Sequence, residues 1–240
     1  MLQALIFDVD GTLADTELAH LSAFNHAFNQ EGLAWHWDVP LYTKLLEVSG
    51  GKERIRAYWE SRGDMPQGIY GNAVEQTIAR IHEIKTAAYE QAVQDGLVQL
   101  RPGVLKLIHA AAQHGLALAI ATTTSPVNIA SLLQRTIGPD WRMYFAVIED
   151  ASTAPRKKPD PMVYHQTLAR LGLPAAACLV VEDSANGLRA ALKAGLSTVI
   201  TVNAFTAHHD FGGALRVLPS LEGIGLPQLR DWHGQTGRAT

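Results

Sequence analysis

The stretch Ala4-Leu5-Ile6-Phe7-Asp8-Val9-Asp10-Gly11-Thr12-Leu13 decides the fold. Four apolar residues in a row, with no polar alternation, suit a strand covered on both faces, as in a parallel sheet. The run ends in two carboxylates. At the end of an extended strand, side chains at i and i+2 share a face, so Asp8 and Asp10 point to one place. Gly11 then lets the chain turn sharply.

The same pattern recurs outward along the chain. Leu116 to Ala121 runs into Thr122, Thr123 and Thr124, and Cys178 to Val181 runs into Glu182 and Asp183. Thr198 to Val202 is rich in β-branched residues. Helical spacing lies between these runs. Val104, Leu105, Leu107, Ile108, Ala111 and Ala112 form one stripe, closed by Gly115. A second helix is expected after Pro159 and Pro161, with Val163, Tyr164, Leu168 and Leu171 before Gly172. Leu188, Ala191, Leu192 and Ala194 before Gly195 mark a third. Glycine after the last turn and proline in the first are the usual helix boundaries. Alternating strand and helix predicts an α/β fold with a Rossmann-like, doubly wound parallel sheet.

Residues 16–95 break the rhythm. They are helical over Leu18 to Phe28 and Ala73 to Val93, show no clear strand, and are punctuated by Gly63-Asp64-Met65-Pro66-Gln67-Gly68. The expected organisation is an α/β core of residues 1–15 and 96–240 with an inserted all-helical cap of residues 16–95. Arg101-Pro102-Gly103 marks the return to the core. Trp35, Trp37 and Trp59 are expected in the cap's interior. The tail beyond Gly223 is Gly-rich and polar, and Gln235 to Thr240 is expected to be disordered.

The composition, 47% hydrophobic and 18% charged, is that of a globular chain able to bury a core. A net charge of -3 gives no electrostatic footprint for nucleic acid or an anionic membrane, so neither is expected as a partner. No apolar stretch approaches the roughly 20 residues that span a bilayer. The first residues lack a basic n-region and an Arg/Ser-rich transit pattern, so a cytoplasmic protein is expected. A monomer is expected as well. Cys178 is the one cysteine, which rules out an internal disulfide and suits a buried structural thiol. Lys157 is expected at the surface, and His208 and His209 in a loop.

In open α/β sheets ligands sit beyond the carboxyl ends of the strands. Loops there bring Asp8, Asp10, Thr122, Lys158, Glu182 and Asp183 to one crevice. Four carboxylates together repel one another without a cation, and oxygen donors of this kind suit Mg²⁺. One carboxylate can attack phosphorus while the other protonates the leaving oxygen, through a covalent aspartyl-phosphate. The Thr122 hydroxyl, nearby backbone N–H groups and the Lys158 charge can hold phosphoryl oxygens.

Asp8-Val9-Asp10-Gly11-Thr12-Leu13 resembles the first signature of the haloacid dehalogenase superfamily. Thr122 after a strand, Lys158 before Pro159, and Glu182-Asp183 after a strand follow in that family's order. The resemblance implies Asp8 as nucleophile and Asp10 as general acid and base. It implies Asp8, the Asp10 backbone carbonyl and Asp183 as Mg²⁺ ligands with Glu182 close by, and Thr122 and Lys158 around the phosphoryl group. The insert resembles the helical cap of the β-phosphoglucomutase-like subgroup, which closes by hinge motion, with Glu17 at the hinge and His20 on the first cap helix.

More narrowly, Gly50-Gly51-Lys52-Glu53-Arg54, Ile81-His82-Glu83-Ile84-Lys85-Thr86, Ala121-Thr122-Thr123-Thr124-Ser125 and Lys157-Lys158-Pro159 look like the CbbY-type phosphatases, which use xylulose-1,5-bisphosphate. This likeness implies a small sugar mono- or bisphosphate as substrate. The implied contacts are Glu17, His20, Gly51, Lys52, Arg54, Lys85, Thr122, Thr123 and Lys158. Two other readings stay open on the residues. A sugar phosphomutase shares core, cap and a residue like His20. A phospho-acceptor receiver module also sets acids, a Thr and a Lys on a doubly wound sheet, but it is about half this length and has no helical insert.

Overall fold

The computed structural model describes residues 1–62 and 71–236. The Gly63–Gly68 punctuation and residues 237–240 of the expected disordered tail lie outside the described residues. The chain forms two compact units, Met1–Asp15 with Gln99–Thr240, and Thr16–Val98.

The first unit is built on a parallel sheet of β1 (Ala4–Phe7), β2 (Ala117–Ala121), β3 (Val147–Glu149), β4 (Cys178–Glu182), β5 (Ser197–Thr201) and β6 (Arg216–Leu218). The strands lie in the order β3-β2-β1-β4-β5-β6, and each adjacent pair is parallel. This is the doubly wound order, whose direction reverses between β1 and β4. All residues of β1 and β4 are buried, as apolar runs without alternation require. Ile6, Ala119 and Val180 pack on one face with Val163 and Tyr164 of α7 (Met162–Leu171) and Ala190 and Ala191 of α8 (Ala185–Lys193).

Cys178 belongs to the same layer, and burial pushes its thiol up to about 11, as befits a packing group. β3 and β6 were not legible as strands. Each has three residues, and β6 is an edge with Val217 exposed, so neither shows a long apolar run.

The polar tail is a correction. Residues Leu226–Thr236 form a helix, α9, with Leu226, Leu229 and His233 buried. Those three recur at i, i+3 and i+7, which lays them on one face despite the glycines and charges around them.

The second unit is helical: α1 (Glu17–Gln30), α2 (Val39–Leu45), α3 (Gly51–Ser61) and α4 (Asn72–Gln94). Its interior is aromatic. Trp37 is fully buried, with Phe24 and Phe28 each 4.8 Å away and Tyr58 at 5.3 Å, and Trp35 meets Trp59 edge-on at 5.1 Å. Asn25 grips the Trp37 backbone with two bonds of 2.8 Å, donating to its carbonyl and accepting from its N–H. Asp38 accepts from the Leu41 N–H at 2.8 Å and so caps α2.

The remaining core helices are α5 (Val104–Gln113) and α6 (Pro126–Thr136). Among the described residues no helix is long and apolar enough to cross a membrane. Leu229 is fully buried. Leu229→Ala should therefore destabilise the protein by about 2–5 kcal/mol, read as a shift in the urea midpoint. An unchanged midpoint would show that α9 is not docked.

Candidate active site

Sheet register sets the site. Phe7 lies level with Ile120 of β2 and Val181 of β4, so the next residues, Asp8, Ala121 and Glu182, emerge side by side. One side chain ties these three together. Lys158 Nζ donates to Asp8 Oδ1 at 2.7 Å, to the Ala121 carbonyl at 2.8 Å and to Glu182 Oε1 at 2.6 Å. An ammonium has three protons, and all three are engaged. Asp8 Oδ2, by contrast, has no hydrogen-bond partner among the described residues.

Glu182 is completely buried and fully occupied. Tyr164 Oη donates to its Oε1 at 2.9 Å, while its Oε2 accepts from the Asp183 and Ser184 N–H groups at 3.0 and 3.3 Å. Ser184 caps α8, accepting from the Gly187 N–H at 3.1 Å. Gly187 faces Glu182 so closely that a Cβ there would collide with the carboxylate.

Asp183 Oδ2 accepts from Asn203 Nδ2 at 2.7 Å, and its Oδ1 lies 3.4 Å from Thr12 Oγ1. Asp10 is half-buried in the tight turn that Gly11 (φ 78) makes after β1, where Leu13 N–H donates to the Val9 carbonyl.

The charges do not balance. Burial, above all, pushes the Asp8 carboxyl up to about 7; Lys158 pulls it down, while Glu182 and Asp10 push it further up. Burial also works against the Lys158 ammonium, but the charges of Asp8 and Glu182 outweigh it and hold that group well above the ordinary lysine range. Burial, then the charge of Glu182, keeps the Tyr164 phenol protonated and donating. One ammonium thus serves several acids.

Carboxylate oxygens of Asp8, Glu182 and Asp183 lie within 4.8 Å of one another, all three buried. Oxygen-only donors and an excess of negative charge fit a small hard cation such as Mg²⁺.

Thr122 is buried at the end of β2, its N–H donating to the Glu149 carbonyl at 3.0 Å and its Oγ1 accepting from the Thr124 N–H at 3.4 Å. The Thr123 hydroxyl has no partner among the described residues. Ser125 caps α6.

The second unit gathers the remaining candidates. Lys85 Nζ is 2.9 Å from His20 Nδ1, both buried, and His20 stacks on Tyr89 at 4.0 Å. Arg54 donates to the Leu45 and Val48 carbonyls at 3.1 and 3.3 Å and lies over the Tyr42 ring, whose hydroxyl donates to Glu17 Oε2 at 2.7 Å. Lys52 is exposed, and its ammonium has no partner among the described residues. Gly51 opens α3 against the His82 ring, with no room for a Cβ.

The residues 5–201 match the family model of the haloacid dehalogenase-like hydrolases. The chain belongs to that family. It is a hydrolase of the phosphatase kind. The chain is 57% identical to protein CbbY of Cupriavidus necator over 220 residues, 92% of this chain and 86% of that protein. It is 44% identical to protein CbbY of Rhodobacter capsulatus over 231 residues, 95% of this chain and 99% of that one. A crystal structure of CbbY from Rhodobacter sphaeroides with phosphate superposes with a TM-score of 0.88 at 40% identity, covering 96% of this chain and all of that one. β-Phosphoglucomutase from Clostridium difficile, at 19% identity and a TM-score of 0.79, shares the fold.

Several site residues of this hydrolase were not singled out for chemistry from the sequence. Tyr164 read as a helix-stripe residue and Arg101 as a domain marker. Asn203 follows β5, the position beyond a strand end at which the other candidates lie, and that signal was available. Gly187→Ala tests the tight fit around Glu182. Alanine favours a helix by about 1 kcal/mol over glycine. Here the displaced carboxylate should lower kcat/KM about a hundredfold, since a misplacement near 1 Å has that scale. Unchanged phosphate release would show that the Glu182 position is not critical.

Proposed function

We propose that the chain is a Mg²⁺-dependent phosphatase of a small sugar bisphosphate, xylulose-1,5-bisphosphate, working through an aspartyl-phosphate on Asp8. The observation that carries this reading is the asymmetry of Asp8: Lys158 pins Oδ1 and leaves Oδ2 without a partner. A CbbY variant from Rhodobacter sphaeroides, 40% identical over 95% of this chain, has been crystallised with xylulose-1,5-bisphosphate, which supports the choice of sugar.

In this reading Asp8 Oδ2 attacks phosphorus and the bond from phosphorus to the sugar oxygen breaks. Asp10 gives that oxygen its proton. Water then attacks the acyl phosphate, Asp10 takes back a proton, and inorganic phosphate leaves with Asp8 regenerated. Thr122, the Thr123 hydroxyl and Lys158 hold the phosphoryl oxygens, Lys158 exchanging one existing bond to do so. Asp8, the Asp10 backbone carbonyl and Asp183, with Glu182 beside them, would hold Mg²⁺. When bound, Mg²⁺ supplies positive charge that keeps Asp8 ionised and offsets the charge of the transferring group.

For the helical unit we assign contacts with the rest of the substrate to Glu17, His20, Gly51, Lys52, Arg54 and Lys85. Arg54 and Lys85 are already engaged within their own unit, which leaves Lys52 as the cation assigned to the phosphate that is not transferred.

Activity should vanish in excess EDTA and return on addition of Mg²⁺, measured as phosphate release; full activity in the chelator would sink the metal assignment. Lys52→Ala separates a bisphosphatase from a general phosphatase. A charged hydrogen bond contributes roughly 1.5–3 kcal/mol, and about 1.4 kcal/mol is a tenfold change. The variant should lose about one to two orders of magnitude in kcat/KM for the bisphosphate and little for p-nitrophenyl phosphate. An equal loss for both substrates would remove the second-phosphate role.

A further inference from the structure

Asp183 is oriented by groups outside the acid cluster. Besides the 2.7 Å bond to Asp183 Oδ2, Asn203 Nδ2 lies 3.3 Å from the Gly11 carbonyl. Its Oδ1 accepts from the Phe205 N–H at 2.8 Å, and its own N–H donates to Thr206 Oγ1 at 3.1 Å. A side chain that closes a turn on the backbone two residues ahead is fixed in direction. The amide therefore reaches Asp183 along a set line.

That line is anchored by Arg101. Its buried guanidinium donates to the Gly11 carbonyl at 2.5 Å, the Thr201 carbonyl at 2.8 Å, the Val202 carbonyl at 2.6 Å and the Pro219 carbonyl at 3.0 Å. Its Nε pairs with Asp15 Oδ1 at 3.2 Å. A rigid planar fork thus draws together the turn after β1, the end of β5 and the segment after β6. Gly11 completes the fit, for a Cβ there would collide with Asp183 Oδ2 and Asn203 Nδ2.

We propose that Asn203 is a positioning residue for the divalent cation: its amide fixes the rotation of the Asp183 carboxylate, and Arg101 fixes Asn203 through the Gly11 carbonyl and the end of β5. The proposal rests on the metal site of the preceding section. A carboxylate free to turn would give up rotamer freedom on binding, whereas one already held by hydrogen bonds presents its remaining lone pairs in place.

The test is calorimetric titration of Mg²⁺ into chelator-stripped, substrate-free protein, with a urea melt of each variant without metal. In Asn203→Ser the hydroxyl can still accept from the Phe205 N–H but is too short to reach Asp183. Its Mg²⁺ dissociation constant should rise about tenfold to a hundredfold, the usual scale for loss of a group that orients a ligand. Its kcat at saturating Mg²⁺ should recover. Asp183→Ala should bind no Mg²⁺.

Asn203→Ser with lower stability but wild-type Mg²⁺ affinity would overturn the proposal and leave the metal reading intact. A wild-type protein that takes up no Mg²⁺ would overturn both. Should Asn203→Ser not fold, Arg101→Lys, which keeps the charge and loses the fork, decides in the same way: weaker Mg²⁺ binding supports the relay and unchanged binding overturns it.

Discussion

The buried ammonium of Lys158 organises the α/β unit. Lys158 joins the ends of three neighbouring strands through Asp8, Ala121 and Glu182. It can do so only because parallel pairing at Phe7, Ile120 and Val181 brings those ends level. Removing one partner of a buried ion pair leaves an uncompensated charge and costs about 3–5 kcal/mol. The core is therefore committed to this arrangement before any ligand arrives, and it holds one Asp8 oxygen while leaving the other, the feature on which the proposed reaction rests.

The ammonium does not balance the acids around it, and that imbalance joins structure to function. Burial, above all, pushes Asp8 up to about 7, and the charge of Glu182 adds to it against the pull of Lys158. Backbone N–H groups and Tyr164 surround Glu182, while Thr12 and Asn203 hold Asp183, so the acids stay where a cation can use them. Two glycines enforce the closeness. Gly11 and Gly187 each face a carboxylate with no room for a side chain.

Much of this was legible in the sequence, for physical reasons that can be named. Strands buried on both faces write themselves as unbroken apolar runs, so β1, β2, β4 and β5 stood out, and the doubly wound sheet followed. β3 and β6 did not stand out, because a three-residue strand has no periodicity to detect. The α9 helix was hidden by polar and glycine residues, although Leu226, Leu229 and His233 keep helical spacing. The acids, Thr122 and Lys158 could be picked out by their place after apolar runs or beside a proline. Of the residues that orient them, Asn203 has a signal in its place just after β5, whereas Tyr164 and Arg101 act through distant partners and carry no local motif. Arg101 meets Gly11 across 90 positions of the chain.

The central claim is that Asp8 forms a covalent bond to phosphorus. The most direct measurement is rapid acid quench of the enzyme turning over xylulose-1,5-bisphosphate with Mg²⁺, followed by mass spectrometry of its peptides. The account predicts a phosphoryl group on the peptide bearing Asp8, cleaved by hydroxylamine as an acyl phosphate is, and appearing before free phosphate. Phosphate release with no labelled peptide at any quench time, or a label on a different residue, would contradict it.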